Sequence, residues 1–313
     1  MKELAAHLID NTHERVCAMI VTYNRRDLLR GCILALQGQT RPVDEILIVD
    51  NASADGTREM LETEFPACRV LRMTENTGAS GGYYAGTKWS YDNGFDWTWI
   101  IDDEGRAAPD CLEKLMMYAR PNSVVSPVKR DAGGRLYGFF AWRRRAVDVA
   151  AEICAAGKTV GGDFLFDFTA TLISRRIVEQ IGLPNKDFII WFDDFEYAFR
   201  VKSRTDAEII NVPAAMFHCN FGANTRVVSF LGRRSYRSDQ PAWKTYYGVR
   251  NPLYFMLRSR RKPDEITLFL LVHTRLLLMD VIYEPDRWRR VKMRFKGIQD
   301  AVLGRMGMRV RPS

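Results

Sequence analysis

Apolar and polar positions alternate along the first hundred residues with two different periods. Short runs rich in β-branched residues, "VCAMIVT" (16–22), "DEILIVD" (44–50), "CRVLRM" (68–73) and "DWTWII" (96–101), have the length and composition of strands. Between them, "RRDLLRGCILALQGQT", "REMLETEF" and "GYYAGTKWSYDNG" carry apolar residues three and four apart, which predicts helices, the last closed by Gly94. Strands alternating with helices in this way build βαβ units and a parallel sheet covered on both faces. Residues 16–105 therefore read as a nucleotide-binding α/β half. After about residue 225 the pattern changes to Arg-rich and aromatic stretches at helical spacing, read as a helical appendage.

Ligands of open α/β sheets bind beyond the carboxyl ends of the strands. The tails at those ends are "TYN" (22–24), "DNAS" (50–53), "ENTGASGG" (75–82) and "DDE" (102–104). Four successive polar or glycine-rich tails are expected to converge on one rim. In the last of them Asp102, Asp103 and Glu104 stand side by side after an apolar run. Adjacent buried carboxylates need a positive partner, and oxygen-only donors suit Mg²⁺ or Mn²⁺ together with phosphate oxygens. A solvated turn leading into a helix opened by Pro109 and Asp110 accounts for the same acids. Asp50 and Asn51 offer groups that could read a base or ribose edge, although an Asx turn explains them locally. "NTGASGG" brings small residues close enough for backbone N–H groups to meet an anion, without matching G-x-G-x-x-G or a P-loop.

Two further elements lie downstream. In "IIWFDDFEYAFR" (189–200) Asp193 and Asp194 follow Trp191 and Phe192, so partial desolvation could raise one carboxyl into the range of a general base. Acids complementing a helix N-terminus are the plainer alternative. Glu196 is placed to pair with Arg200 one helical turn on. His218, in "AMFHCNFG", follows the predicted strand "EIINVP" and can reach the same rim, or it is simply structural.

Composition narrows the class. The 313 residues are 47% apolar and 27% charged, a globular mixture with room for one large α/β domain and a smaller appendage. Six scattered cysteines with no C-x-x-C pair suggest neither a disulfide framework nor a thiolate metal site, which fits a reducing cytoplasm. The N-terminus, "MKELAAHLIDNTHERVCAMIV", lacks the apolar core of a signal peptide. No run reaches about 18 uninterrupted apolar residues, and the nearest, 266–283, is broken by His273, Arg275 and Asp280. The net charge of +8 is concentrated at the C-terminal end, where twenty basic residues from Arg226 onward face seven acidic ones. Such an excess suits either a solvated face or an electrostatic dock for an anionic membrane or a pyrophosphate-bearing substrate. Nucleic-acid binding rests on the pI of about 9.2 alone, with no recognisable binding motif, and is not expected.

Taken together, "VTYNRRDLLRGCILALQGQTRPVDEILIVDNASADGT", "IIDDEG" and "WFDDFEYAFR" resemble glycosyltransferase family 2, inverting enzymes of GT-A fold that use nucleotide sugars. Within it, "ENTGASGGYYAG", "WTWIIDDEG", "FFAWRRRA" and "YYGVRNPLYFM" look like bacterial galactofuranosyltransferases that begin a galactan on a lipid-linked acceptor. The resemblance implies a Rossmann-like, mostly parallel central sheet flanked by helices. It implies a catalytic domain over 1–225, with the acceptor and base half at 106–225, and a basic helical region at 226–313. It implies a nucleotide-sugar site of Thr22, Asn24, Asp50, Asn51, Asn76, Gly81, Gly82, Asp102 and Asp103. A Mn²⁺ or Mg²⁺ ion would be held by Asp102, Glu104 and His218, with Glu104 standing where Asp is usual. Asp194 would be the catalytic base, with Trp191 and Asp193 toward the acceptor.

The expected reaction transfers galactofuranose from UDP-galactofuranose to a lipid-linked glycan in cell-surface polysaccharide synthesis. Transfer of rhamnose from dTDP-rhamnose is the alternative within the family, and a non-catalytic module on the membrane surface the alternative outside it. "LRSRRK" (257–262) and "RWRRVKMRFKG" (287–297) mix basic and aromatic residues, as membrane-interface segments do. They imply a cytoplasmic protein peripheral on the inner face of a bacterial plasma membrane.

Overall fold

The computed structural model describes residues 14–131, 134, 136–137, 155, 159–160, 166–219, 225–230, 232–259 and 262–311. The N-terminal thirteen residues, the "FFAWRRRA" stretch (139–146) and Arg260 and Arg261 of the first basic segment lie outside them. The chain divides into two compact units, one of residues 1–184 and 197–221, the other of residues 185–196 and 222–313. The acidic segment 185–196 thus counts with the C-terminal unit.

The four predicted strands form as β1 (Val16–Thr22), β2 (Glu45–Asp50), β3 (Arg69–Arg72) and β4 (Trp97–Asp102). They pair in parallel in the order β3-β2-β1-β4. The chain winds outward from β1 through β3, then returns to β4 on the other side of β1. That reversal creates the crevice where α/β sheets bind ligands. Helices α1 (Arg26–Gln37), α2 (Thr57–Glu64) and α3 (Gly78–Asp92) make the crossovers. Both faces of β1 are buried, so the strand reads as one apolar run, and Ile33, Leu36, Trp97, Trp99 and Ile101 share its core.

Beyond β4 the sheet becomes mixed. After the two-residue β5 (Arg106–Ala107), helix α4 (Cys111–Met116) has Asp110 at its N-cap position, without a side-chain capping bond. Strands β6 (Ser123–Arg130), β7 (Leu136–Tyr137), β8 (Thr159–Val160) and β9 (Thr171–Ser174) follow. Helices α5 (Arg175–Ile181) and α6 (Asp193–Arg204) lead to β10 (Glu208–His218). Strand β9 runs antiparallel between β4 and β6, and β10 is parallel to β6 and antiparallel to β5.

After β10 the chain forms a hairpin where helix was expected. Strands β11 (Thr225–Phe230) and β12 (Arg233–Ser238) pair antiparallel around Gly232, whose φ of 72° suits the turn. Helices α7 (Ala242–Arg258), α8 (Pro263–Tyr283) and α9 (Arg287–Val302) follow. His273, Arg275 and Asp280 do not interrupt α8: it is one helix of 21 residues, long and apolar enough by length and composition to cross a membrane. Its buried face mixes charged and apolar side chains, with Phe269 and Met279 beside Glu265 and Asp280. Leu271, by contrast, is 64% exposed and Ile282 59%. Asp280 accepts from Arg237 and from Arg294 Nε at 2.6 Å, and Glu284 accepts from Arg237 Nε at 3.0 Å.

Candidate active site

The register of β1 against β4 sets Val21 opposite Asp102, so the tails of these two strands leave the sheet together. Thr22 Oγ1 donates to Asp103 Oδ2 at 2.8 Å. Arg25 Nη1 donates to Asp103 Oδ1 at 3.0 Å and to Glu104 Oε2 at 3.2 Å. Asp102 accepts from Tyr83 Oη at 2.6 Å and Thr169 Oγ1 at 2.8 Å. Arg25 and the hydroxyls of Thr22, Tyr83 and Thr169 thus help to hold these acids. Burial outweighs these partners and pushes the Asp103 carboxyl up to about 6, and it raises Asp102 as well.

The neighbouring tail is tied in the same way. Asp50 is buried, accepting from Ser53 N at 2.8 Å and Arg72 Nη1 at 2.9 Å. Asn24 adopts a left-handed φ of 51°, donates from its backbone N–H to Ser53 Oγ and accepts from Ala54 N. Asn51 and Asn76 spend their side chains on the start of α3. Asn51 Nδ2 donates to the Gly78 carbonyl and Oδ1 accepts from Thr77 Oγ1, while Asn76 Oδ1 accepts from Gly78 N.

Gly81 and Gly82 lie inside α3, which begins within the stretch expected to be an anion loop. A Cβ on Gly82 would stand 2.4 Å from Val21 Cγ1, so this glycine lets the helix close on β1. His218 ends β10, exposed, opposite Arg106 of β5 in the antiparallel pairing. Among the described residues no three His, Cys, Asp or Glu side chains gather closely enough to hold a metal ion by themselves.

Several partners were not found from the sequence. Arg25 follows "TYN" and could have been noticed as the basic residue of that tail. Tyr83, Arg72 and Thr169 carry no local signal, because only the sheet order brings them to the acids. Lys129 and Asp167 form a buried ion pair, and Asp167 also accepts from Thr169 N at 2.9 Å.

In the C-terminal unit, Trp191, Asp193 and Asp194 sit where the 185–196 segment turns into α6. Asp193 is buried, and Asp194 Oδ1 accepts from Phe195 N at 2.7 Å. Phe192 and Phe195 pack against each other and on Phe255. Trp191 forms part of the wall of a cavity of about 250 Å³ whose lining includes Gln240, Gly248, His273, Arg290 and Arg294.

A Rossmann-like sheet whose order reverses between β1 and β4, with acids at that rim, has the architecture of the GT-A glycosyltransferase fold. Residues 17–181, more than half of the chain, match Glycosyl transferase family 2, and the chain belongs to that family. Galactofuranosyltransferase GlfT1 of Mycolicibacterium smegmatis is 30% identical over 195 residues, 59% of this chain and 65% of the relative. The chain thus spans a little under two thirds of that relative's length. Undecaprenyl-phosphate mannosyltransferase of Micrococcus luteus is 33% identical over 125 residues, 39% of this chain and 51% of the relative. Among solved structures, the mannosyltransferase PcManGT from Pyrobaculum calidifontis, in complex with GDP-Man and Mn²⁺, aligns with a TM-score of 0.56 at 17% identity. That alignment covers 93% of this chain and 76% of the other.

Proposed function

We propose that this glycosyltransferase moves galactofuranose from UDP-galactofuranose to a lipid-linked glycan, with inversion and with a divalent cation. The observation that carries the reading is the rim at the end of β4, where Asp102, Asp103 and Glu104 stand together, the last two bound by Arg25. Such a cluster of oxygen donors suits a cation and a diphosphate sharing the place. Mg²⁺ and Mn²⁺ are usually bound through one or two carboxylates plus substrate phosphates, without an all-protein cage, so the donor set present fits. Asp102 and Glu104 are the residues that would hold the ion, since both oxygens of Asp102 keep acceptor capacity beyond their hydroxyl partners, and His218 does not gather with them into a three-residue set. When bound, the ion offers charge stabilisation to a departing diphosphate. Asp50 and Thr22 would orient the nucleotide. Asp194 would accept the proton of the attacking acceptor hydroxyl while its oxygen bonds to the anomeric carbon and the diphosphate leaves with the bonding electrons. The galactofuranosyltransferase relative supports the sugar, and the undecaprenyl-phosphate enzyme supports a polyprenyl acceptor.

Helix α8 supports attachment to a membrane surface. Its outer stripe carries Leu268, Leu271, Val272, Leu278 and Ile282 around the exposed Arg275, and α9 adds Trp288, 71% exposed, and Phe295 beside the exposed Arg287, Arg289 and Lys292. Arg290 and Arg294 of the same basic stretch point inward to ion pairs and do not contribute to that surface. With Glu265 and Asp280 buried against protein, α8 suits an in-plane position better than a spanning one.

The test is thermal stability with a panel of nucleotide sugars, with and without Mn²⁺, on wild type and Glu104→Ala. A ligand that binds only the folded state raises stability by mass action. A rise with UDP-galactofuranose that requires metal and disappears in Glu104→Ala is expected. A rise with dTDP-rhamnose alone would reassign the sugar, and no rise with any donor would refute the reading.

A further inference from the structure

The stretch "YYGVRNPLYFM" (246–256) has no part in the chemistry above, yet it holds two of the most buried polar side chains in the C-terminal unit. Arg250 and Asn251, in the middle of α7, are both fully buried. Arg250 Nε donates to Asn251 Oδ1 at 2.9 Å, which fixes the amide so that its nitrogen faces the other way. That nitrogen lies 3.0 Å from the Phe188 carbonyl oxygen, 2.9 Å from that of Ile190 and 2.9 Å from that of Trp191. Arg250 Nη2 donates to Asp187 O at 2.8 Å, and Nη1 to Gly307 O at 2.6 Å, while Tyr246 and Tyr247 present their ring faces to the guanidinium.

The segment so gripped is strained. Ile189, Trp191 and Phe192 all have positive φ, at 68°, 62° and 72°. Ile189, with ψ of −56° and Ile190 N bonded to Phe188 O at 2.8 Å, forms the rare γ-turn of positive φ, here on a β-branched residue. Such a residue is unfavourable by itself and persists only where its surroundings over-determine it. Asn251 provides that constraint, binding the carbonyls on both sides of the turn. The outcome of the distortion is the placement of Trp191 against Gly248, where a Cβ would lie 3.3 Å from the indole, and the start of α6 at Asp193 and Asp194.

We infer that Asn251, fixed by Arg250, is a positioning residue for the acceptor side of the reaction: it holds the strained 187–192 turn that sets Trp191 and Asp194. The inference rests on the reading of Asp194 as the base. It assigns the Arg-Asn pair a role in acceptor use and none in donor binding.

The experiment uses the full chain with UDP-galactofuranose and a short-chain polyprenyl-diphosphate-linked glycan, varying each substrate separately. Four variants are compared: Asn251→Ala, Asn251→Asp, Tyr247→Phe and Asp194→Asn. Tyr247→Phe removes a bond from the same helix to the Val310 carbonyl and leaves the turn untouched. In Asn251→Ala and Asn251→Asp, kcat/KM for the acceptor should fall about 30-fold or more, as displacement of a reacting group by about 1 Å does. Donor KM should stay within about twofold, and amide hydrogen exchange should accelerate over 187–192. Tyr247→Phe should retain acceptor kinetics at a comparable loss of melting temperature. Normal acceptor kinetics in both Asn251 variants would overturn the inference, as would equal losses toward donor and acceptor that track melting temperature across all α7 variants. If Asn251→Ala does not fold, Asn251→Asp alone decides. Full activity in Asp194→Asn would instead refute the assignment of the base on which the inference rests.

Discussion

Asp103 is a carboxylate kept in a place that favours its neutral form. It is buried, and the attraction of Arg25 and the Thr22 hydroxyl does not make up for lost hydration, so its pKa rises to about 6. An unfolded chain, with an ordinary Asp near 3.9, binds fewer protons than the folded one between about pH 4 and 6. This residue therefore adds stability as the pH falls through that window and withdraws it as the pH climbs past 6. A shift of about two units corresponds to ~3 kcal/mol at most. Urea denaturation of wild type and Asp103→Asn should show the wild type gaining on the variant at pH 4.5 relative to pH 7.5. A pH-independent difference between the two would show that the carboxyl is not perturbed.

Among the elements, α3 decides how closely the nucleotide half is packed. A Cβ on Gly86 would come 1.9 Å from Met19 Sδ and 3.0 Å from Val49 Cγ2, in the buried seam between the helix and β1 and β2. Gly86→Ala overfills that seam and should destabilise the protein by about 1–3 kcal/mol, read as a lower urea midpoint. A neutral or stabilising effect would mean that Met19 can move aside. The same helix shows what the sequence made legible and what it did not. Its apolar spacing announced a helix and the β-branched runs announced β1 to β4, because both signals are local. The start of α3 at Gly78 was hidden, since glycines that serve close packing resemble glycines that cradle an anion. The acids of "DDE" were visible as a cluster, but the Asp102 partners Tyr83 and Thr169 come from segments joined only by the sheet order. The strand pair at 225–238 was masked by its arginines, which read as a helical basic tract. The turn at 187–192 was invisible for another reason: Ile, Trp and Phe are the last residues expected at positive φ, and only the buried Asn251 sixty residues on explains them.

For the whole molecule, the exposed leucines of α8 bear on the proposed membrane attachment. Burying a side chain of this size is worth about 1.5–3 kcal/mol, so under that proposal Leu268, Leu271 and Ile282 would supply much of the hold on a lipid surface, aided by the basic residues of α9. The protein should co-sediment with vesicles containing phosphatidylglycerol, more weakly with neutral ones, and less as salt is raised. Leu271→Asp with Ile282→Asp should reduce that binding at least about tenfold without lowering the melting temperature. Undiminished binding by the double variant would place the contact elsewhere. The grouping of residues 185–196 with the C-terminal unit has a practical corollary for anyone trimming this enzyme. A fragment stopping at residue 221 would look like a complete catalytic domain by sequence and would carry every acid proposed for the chemistry, Asp50, Asp102, Asp103, Glu104, Asp193 and Asp194. It would nevertheless keep the segment bearing Trp191 and Asp194 while losing Arg250 and Asn251, the side chains that hold it bent, so the shortened chain should fail at acceptor use even where it still takes up the proposed donor.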